Sequence, residues 1–311
     1  MRLVFFGTPE IAVPTLDALV AAGHEIALVV SRPDKPAGRH FELATPAVVE
    51  AARRHGLPSA QPDKLGVDDF YYRLRGLQPD AAVVVAFGRL ISPRVLSVPR
   101  RGFVNLHPSL LPRHRGPSPI IWAIASGDSE TGVSTMLLDE GMDTGPVLLQ
   151  RRTPIDPKER TPDLEARLAT LGADLIVETL AGIEAGTVVP APQDETLATV
   201  TPKLGRRDGR IDWSWRAVDL ANRSRAFDPW PGLFCNFRGT RVKVHGAEVG
   251  PTIAGAEPPG TVVAISPAGI AVRCGDGPVA VLTELQREGR RRLPADAFIL
   301  GERVAPGEHF K

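Results

Sequence analysis

Asn105, His107 and Asp143 are the side chains whose types and spacing could together move a proton and steady a developing charge. Asn105 and His107 sit one residue apart in Val104-Asn105-Leu106-His107, a run that reads as the end of a strand. On extended backbone both therefore point to the same side. An imidazole can accept or donate a proton near neutral pH, and a carboxamide can donate to an oxyanion. Asp143 lies in Gly141-Met142-Asp143-Thr144-Gly145, where flanking glycines allow a sharp turn and a carboxylate could orient the imidazole. Taken singly, a histidine at a strand end reads first as a hydrogen-bonded structural residue; the glycine-flanked aspartate raises the catalytic reading. No serine or cysteine stands where it would make a familiar nucleophile, so the set fits transfer to an external nucleophile such as an amine. His107 and His114 lack the spacing of a zinc motif, and no metal is expected.

The elements that must position these residues begin with an apolar run at residues 2–6, ending in Gly7-Thr8-Pro9-Glu10. Thr8 is expected to cap a helix that starts at Pro9, carries Ile11, Leu16, Leu19 and Val20, and stops at Gly23. Glu25 to Val30 is a second strand, and this β-α-β opening implies a parallel sheet with a right-handed crossover. Only Gly7 occupies the first turn, so the three-glycine dinucleotide fingerprint is missing and a nicotinamide or flavin is disfavoured. Asp80 to Ala86 is a buried strand followed by Phe87-Gly88-Arg89-Leu90-Ile91. Ligands sit beyond the carboxyl ends of parallel strands, so Phe87, Gly88 and Leu90 are either a pocket wall or a plain turn. Ser109, Leu110, Leu111 and Pro112 form an apolar loop beside the polar pair, suited to a flat aromatic ligand or simply a rigid turn. Arg113-His114-Arg115-Gly116 is a solvated basic turn or an anion holder.

Residues 31–43 carry Arg32, Lys35 and Arg39 with little that could pack, which suits a solvated loop or an arm that meets a polyanion. A capped amphipathic helix from Thr161, with Leu164, Leu168, Leu171, Leu175 and Ile176 on one face, should close the first domain. The proline-rich stretch after Gly186 reads as a linker, and the short strands beyond it suggest a small barrel or sandwich. Arg287, Arg290, Arg291 and Arg292 form a basic cluster there, and His24, His40, His55, His245 and His309 read as surface residues. The expected division is residues 1–188, a linker at 189–208 and a second domain at 209–311. With 43% hydrophobic and 23% charged residues and a net charge of +1, the 311-residue chain is ordinary for a soluble protein. Two cysteines allow no disulfide framework. No apolar run reaches membrane-span length and Met1-Arg2 leads straight into a strand, so a cytoplasmic protein is expected.

These segments resemble the methionyl-tRNA formyltransferase family over the whole chain. The resemblance rests on Phe6-Gly7-Thr8-Pro9-Glu10, Pro33 to Arg39, Asn105-Leu106-His107 with Ser109 to Pro112, and Gly141 to Gly145. In the second half it rests on Thr201-Pro202-Lys203-Leu204, Ile211-Asp212-Trp213 and Arg225 to Pro231. It implies a Rossmann-like formyltransferase domain with a mainly parallel sheet, followed by a small OB-like β-barrel that binds tRNA. It also implies that Asn105, His107 and Asp143 are catalytic, that Ser109 to Pro112 touch the folate, and that Arg32, Lys35 and Arg39 meet the tRNA acceptor end. The expected reaction is formyl transfer from 10-formyltetrahydrofolate to initiator methionyl-tRNA, by a monomer that is not attached to a membrane. Asp228 departs from the family pattern, which has asparagine there. Rival readings are a formyltransferase acting on a nucleotide-linked amino sugar, a hydrolase releasing formate, and a non-catalytic folate- or RNA-binding protein.

Overall fold

The computed structural model describes residues 1–37 and 42–311; Arg39 and His40 lie outside the described residues. Two compact units emerge, neither continuous in sequence. The first holds Met1–Pro119, Glu130–Pro154 and Asp163–Pro202, and the second Ile120–Ser129, Ile155–Pro162 and Lys203–Lys311.

The first unit opens with β1 (Arg2–Gly7), α1 (Val13–Ala21) and β2 (Glu25–Val30). A small antiparallel pair follows, β3 (Lys35–Ala37) with β4 (Glu42–Ala44), then α2 (Ala47–Arg54), β5 (Ser59–Ala60) and α3 (Asp68–Gly76). Next come β6 (Ala81–Val85), α4 (Pro93–Leu96) and β7 (Phe103–His107), and α5 (Pro119–Ala125) then leads into the second unit. The chain returns with β8 (Glu130–Leu137), β9 (Val147–Pro154) and α6 (Thr161–Ala185). The sheet runs β5-β2-β1-β6-β7-β8-β9, parallel as far as β7 and antiparallel across β8 and β9.

One face of this sheet is an aromatic core. Phe6 lies 5.3 Å from both Phe87 and Phe103 and 6.5 Å from Phe70, centroid to centroid. Burying each ring contributes about 1.5–3 kcal/mol, and edge-on geometry adds to that. Alternation along β7 puts Phe103, Asn105 and His107 on this face and Leu106 on the other. A Cβ on Gly172 of α6 would come within 2.5 Å of Leu106, so glycine there lets α6 close tightly over the opposite face. β7 thus turns from core to polar as it reaches the sheet's carboxyl edge.

Thr8 does not cap a helix. Pro9 takes the cap position of a 3-10 turn over Glu10–Ala12, leaving Thr8 one residue outside it. Its hydroxyl instead donates to the Phe87 carbonyl at 3.3 Å. Residues 189–202, expected as a linker, are hydrogen-bonded into the first unit: Val147 and Ala191 exchange backbone bonds of 2.8 Å, and Arg115 bridges to Val200.

The second unit contains α7 (Ala217–Ala226), β10 (Leu233–Phe237), β11 (Thr240–Thr252), β12 (Val262–Ser266), β13 (Gly269–Arg273), β14 (Pro278–Arg287), β15 (Leu293–Pro294) and α8 (Ala295–Glu302). Its sheet runs β10-β11-β14-β13-β12, all antiparallel. Residues 307–311 bond to both ends of that order, Val262 N to Glu308 O at 2.8 Å and Asn236 N to Lys311 O at 2.7 Å. They close the sheet into a barrel, and Phe310, fully buried, packs 4.6 Å from Phe237 and 5.9 Å from Trp213. No helix among the described residues is long and apolar enough to cross a membrane.

Candidate active site

The carboxyl end of β7 brings the candidate residues together. Val84 pairs with Asn105 and Val85 with Leu106, so Ala86, Phe87 and Gly88 leave β6 beside His107. His107 is buried, with its side chain 5% exposed. Its Nε2 lies 2.9 Å from the His114 carbonyl. A carbonyl can only accept, so Nε2 is the donor and carries the hydrogen, and in the neutral ring the lone pair sits on Nδ1. Nδ1 faces the Asp143 carboxylate with 3.6 Å to Oδ2, a charge contact too long for a hydrogen bond. Asp143 Oδ2 also accepts from the Gly116 backbone N at 2.8 Å. Asn105 is buried, yet among the described residues nothing bonds its carboxamide. An amide donor, a ring nitrogen and a carboxylate therefore converge, two of them with capacity to spare.

The loop from His107 to Gly116 is folded onto itself. Ser109 Oγ donates to the Arg113 carbonyl at 2.6 Å. Ser134 on β8, opposite His107, pins the middle of the loop. Its hydroxyl donates to the Ser109 carbonyl at 2.6 Å and accepts from Leu111 N at 3.1 Å and Gln150 Nε2 at 2.8 Å. Ser109 and Leu111 are buried, while Leu110 and Pro112 keep part of their surface open. The Phe87 ring is in the core, so a ligand would meet only its backbone. Leu90 is 84% exposed. Gly88 has φ +73, and a Cβ there would lie 3.3 Å from Arg32 Nη1, so the expected pocket wall and the expected anion-binding arginine adjoin. Lys35 is exposed.

Arg115 is not a solvated turn residue. Its side chain is 5% exposed and bonds Glu195 through two contacts of 2.8 Å. Those bonds hold the Glu195 carboxyl below its ordinary range and push the guanidinium above its own. Arg115 Nε and Nη2 also donate to Gln193 Oε1 at 3.0 and 2.9 Å. Sequence reasoning missed Ser134, Gln193 and Glu195 altogether, and no local pattern marks them.

The Formyl transferase family matches residues 1–180, and the Formyl transferase C-terminal domain matches residues 203–303. The methionyl-tRNA formyltransferase of Acidobacterium capsulatum is 45% identical over 307 residues, 98% of each chain. That of Solibacter usitatus is 46% identical over 308 residues, 99% of this chain and 98% of its own. The chain belongs to the methionyl-tRNA formyltransferase family. Solved structures share the fold. The Helicobacter canadensis N-formyltransferase, in complex with folinic acid and dTDP-3-aminofucose, superposes with TM-score 0.67 at 17% identity, covering 92% of this chain and 99% of that one. HypX from Aquifex aeolicus, in complex with tetrahydrofolic acid, gives 0.61 at 20% identity, covering 96% of this chain and 47% of its own.

Within the second unit, Asp228 has a local reason to be an acid. It accepts from Arg160 at 2.5 Å, His245 Nδ1 at 3.1 Å and Arg292 at 3.4 Å. His245, read from sequence as a surface residue, is held between Asp228 and Gln286 with its side chain 13% exposed. Its position on β11 facing α7 and β14 explains the burial.

Proposed function

We propose that this methionyl-tRNA formyltransferase family member transfers the formyl group of 10-formyltetrahydrofolate to the free amino group of initiator methionyl-tRNA, in the cytoplasm where translation starts. The observation that carries the reading is the convergence of the Asn105 amide, His107 Nδ1 and the Asp143 carboxylate at the end of β7. The donor set suits a folate. Leu110 and Pro112 offer apolar surface, the backbone at Phe87 and Gly88 offers polar groups, and the Asn105 amide has unused donors. When bound, 10-formyltetrahydrofolate supplies an electrophilic formyl carbon on a nitrogen leaving group.

Each residue then has one task. Asn105 donates an N–H to an oxygen taking up negative charge, a contact worth more in a water-poor site than in water. His107 Nδ1 takes a proton from the attacking neutral amine and returns one to the folate nitrogen as the formyl carbon–nitrogen bond breaks, its Nε2–H being occupied by the His114 carbonyl. Asp143 stands where it can accept a hydrogen bond from that proton once the ring has closed on it. Arg32 and Lys35, with Arg39, meet phosphates of the acceptor end. Comparing methionyl-tRNA with a nucleotide-linked amino sugar as acceptors tests the reading: formyl transfer to methionyl-tRNA is expected, and transfer only to the sugar overturns it. Formate release without any acceptor would instead mark a hydrolase.

A further inference from the structure

We infer that Gln193 is a positioning residue for the reaction, holding Asp143 from the far side of its loop. The inference rests on Asp143 being catalytic. Gln193 Nε2 donates to the Asp143 carbonyl at 2.8 Å and to the Gly145 carbonyl at 2.7 Å. The orientation of the amide is not free. Arg115 offers only donors, so the Gln193 oxygen must face it and the NH2 group must face the two carbonyls. Arg115 is itself fixed, its backbone N bonded to Thr199 O at 2.8 Å and its carbonyl to Thr201 N at 2.7 Å. The next residue, Gly116, supplies the N–H that holds the Asp143 carboxylate. One brace therefore grips Asp143 twice, by its carbonyl through Gln193 and by its carboxylate through the Arg115–Gly116 strand.

Asp143 needs such a grip. Its φ of +57 is left-handed, a conformation that costs a non-glycine residue about 1 kcal/mol and persists where surroundings impose it. Releasing the two carbonyls lets that peptide relax, and the carboxylate moves relative to His107. A displacement of about 1 Å at a catalytic group costs up to ~100-fold in rate.

Gln193→Glu separates positioning from packing, because it keeps the shape and the acceptor for Arg115 but sets an oxygen against two carbonyls. Steady-state kinetics and melting temperature are measured for the wild type, Gln193→Glu, Asp143→Ala and the double variant. Gln193→Glu is expected to lower kcat by ~10–100-fold with KM for both substrates within about threefold. The double variant should be no slower than Asp143→Ala alone, since a residue acting through Asp143 has nothing left to position. Wild-type kcat in Gln193→Glu beside an impaired Asp143→Ala overturns the inference, as does a multiplicative loss in the double variant. Near-normal turnover in Asp143→Ala removes the catalytic reading itself, a separate outcome. Should Gln193→Glu fail to fold, Gln193→Ala in the same cycle separates the same outcomes.

Discussion

Arg115 and Arg291 both sit in short basic runs, yet their surroundings are opposite. Arg115, in the first unit, is buried and spends its donors on Glu195 and Gln193. In the second unit's cluster the ends are tied internally, Arg287 to Glu302 and Arg292 to Glu284, each at 2.5 Å. Arg290 and Arg291 between them are exposed, and among the described residues neither makes an ion pair. A cation in a sequence is therefore not yet a binding residue. Where its partner is a carboxylate of the same chain, it braces a loop; where it has none, it is open to a phosphate.

The sharpest break between the regions is kinetic. His107→Ala should lower kcat by ~10²–10⁴-fold, the usual worth of a proton-transfer group, while the KM for tRNA moves little. Near-normal turnover in this variant would remove the proposed chemistry from β7. Arg115→Ala comes next, and should show a brace rather than a phosphate contact. Loss of its bonds strands Gln193 Oε1 and is expected to cost about 1–3 kcal/mol with a lower kcat. Arg115→Lys should restore little, because an ammonium cannot reproduce the two-sided fork. An unchanged melting temperature with a raised tRNA KM would instead class Arg115 with the exposed cations. Replacing Arg290 and Arg291 with alanine should do what Arg115→Ala does not: weaken tRNA binding severalfold and flatten its salt dependence by roughly one unit of slope per lost contact, with stability unchanged. An identical salt slope would show that these arginines only solubilise the barrel.

How much of this could be read beforehand follows from how local each feature is. The β-α-β opening and the shared face of Asn105 and His107 rest on short-range periodicity, and both are present in the fold. The reversal of β8 and β9 is carried by pairing between distant strands and leaves no trace in their own residues. Closure of the barrel by residues 307–311 is equally silent, because five residues are too few to show an alternation. The brace is the extreme case. Gln193 reaches Asp143 across 50 residues and Glu195 reaches Arg115 across 80, from a stretch whose prolines suggest only a linker. Its prolines and its bonds are compatible, since side chains and irregular backbone supply the contacts without a regular element.

The smallest expected effect lies outside both cation sets and calibrates them. Glu165 on α6 is pushed above the ordinary carboxyl range by burial, with no partner cation contributing. Because the folded state holds this proton more tightly than the unfolded chain, stability falls as pH rises through the window between the two, then stays lower. Glu165→Gln abolishes that loss. Its melting temperature should exceed the wild type's at neutral pH and converge with it in acid, where both side chains are neutral. Glu195 has the opposite sign: held low by Arg115, it adds stability at neutral pH that disappears only as acid protonates it. Glu195→Gln should therefore lower the melting temperature at pH 7 and leave it unchanged in acid, making the two glutamates mirror images in one pH series. If Glu195→Gln were silent at pH 7, the exposed carboxylate would add nothing measurable to the brace, and the hold on Asp143 would rest on Gln193 and the backbone alone.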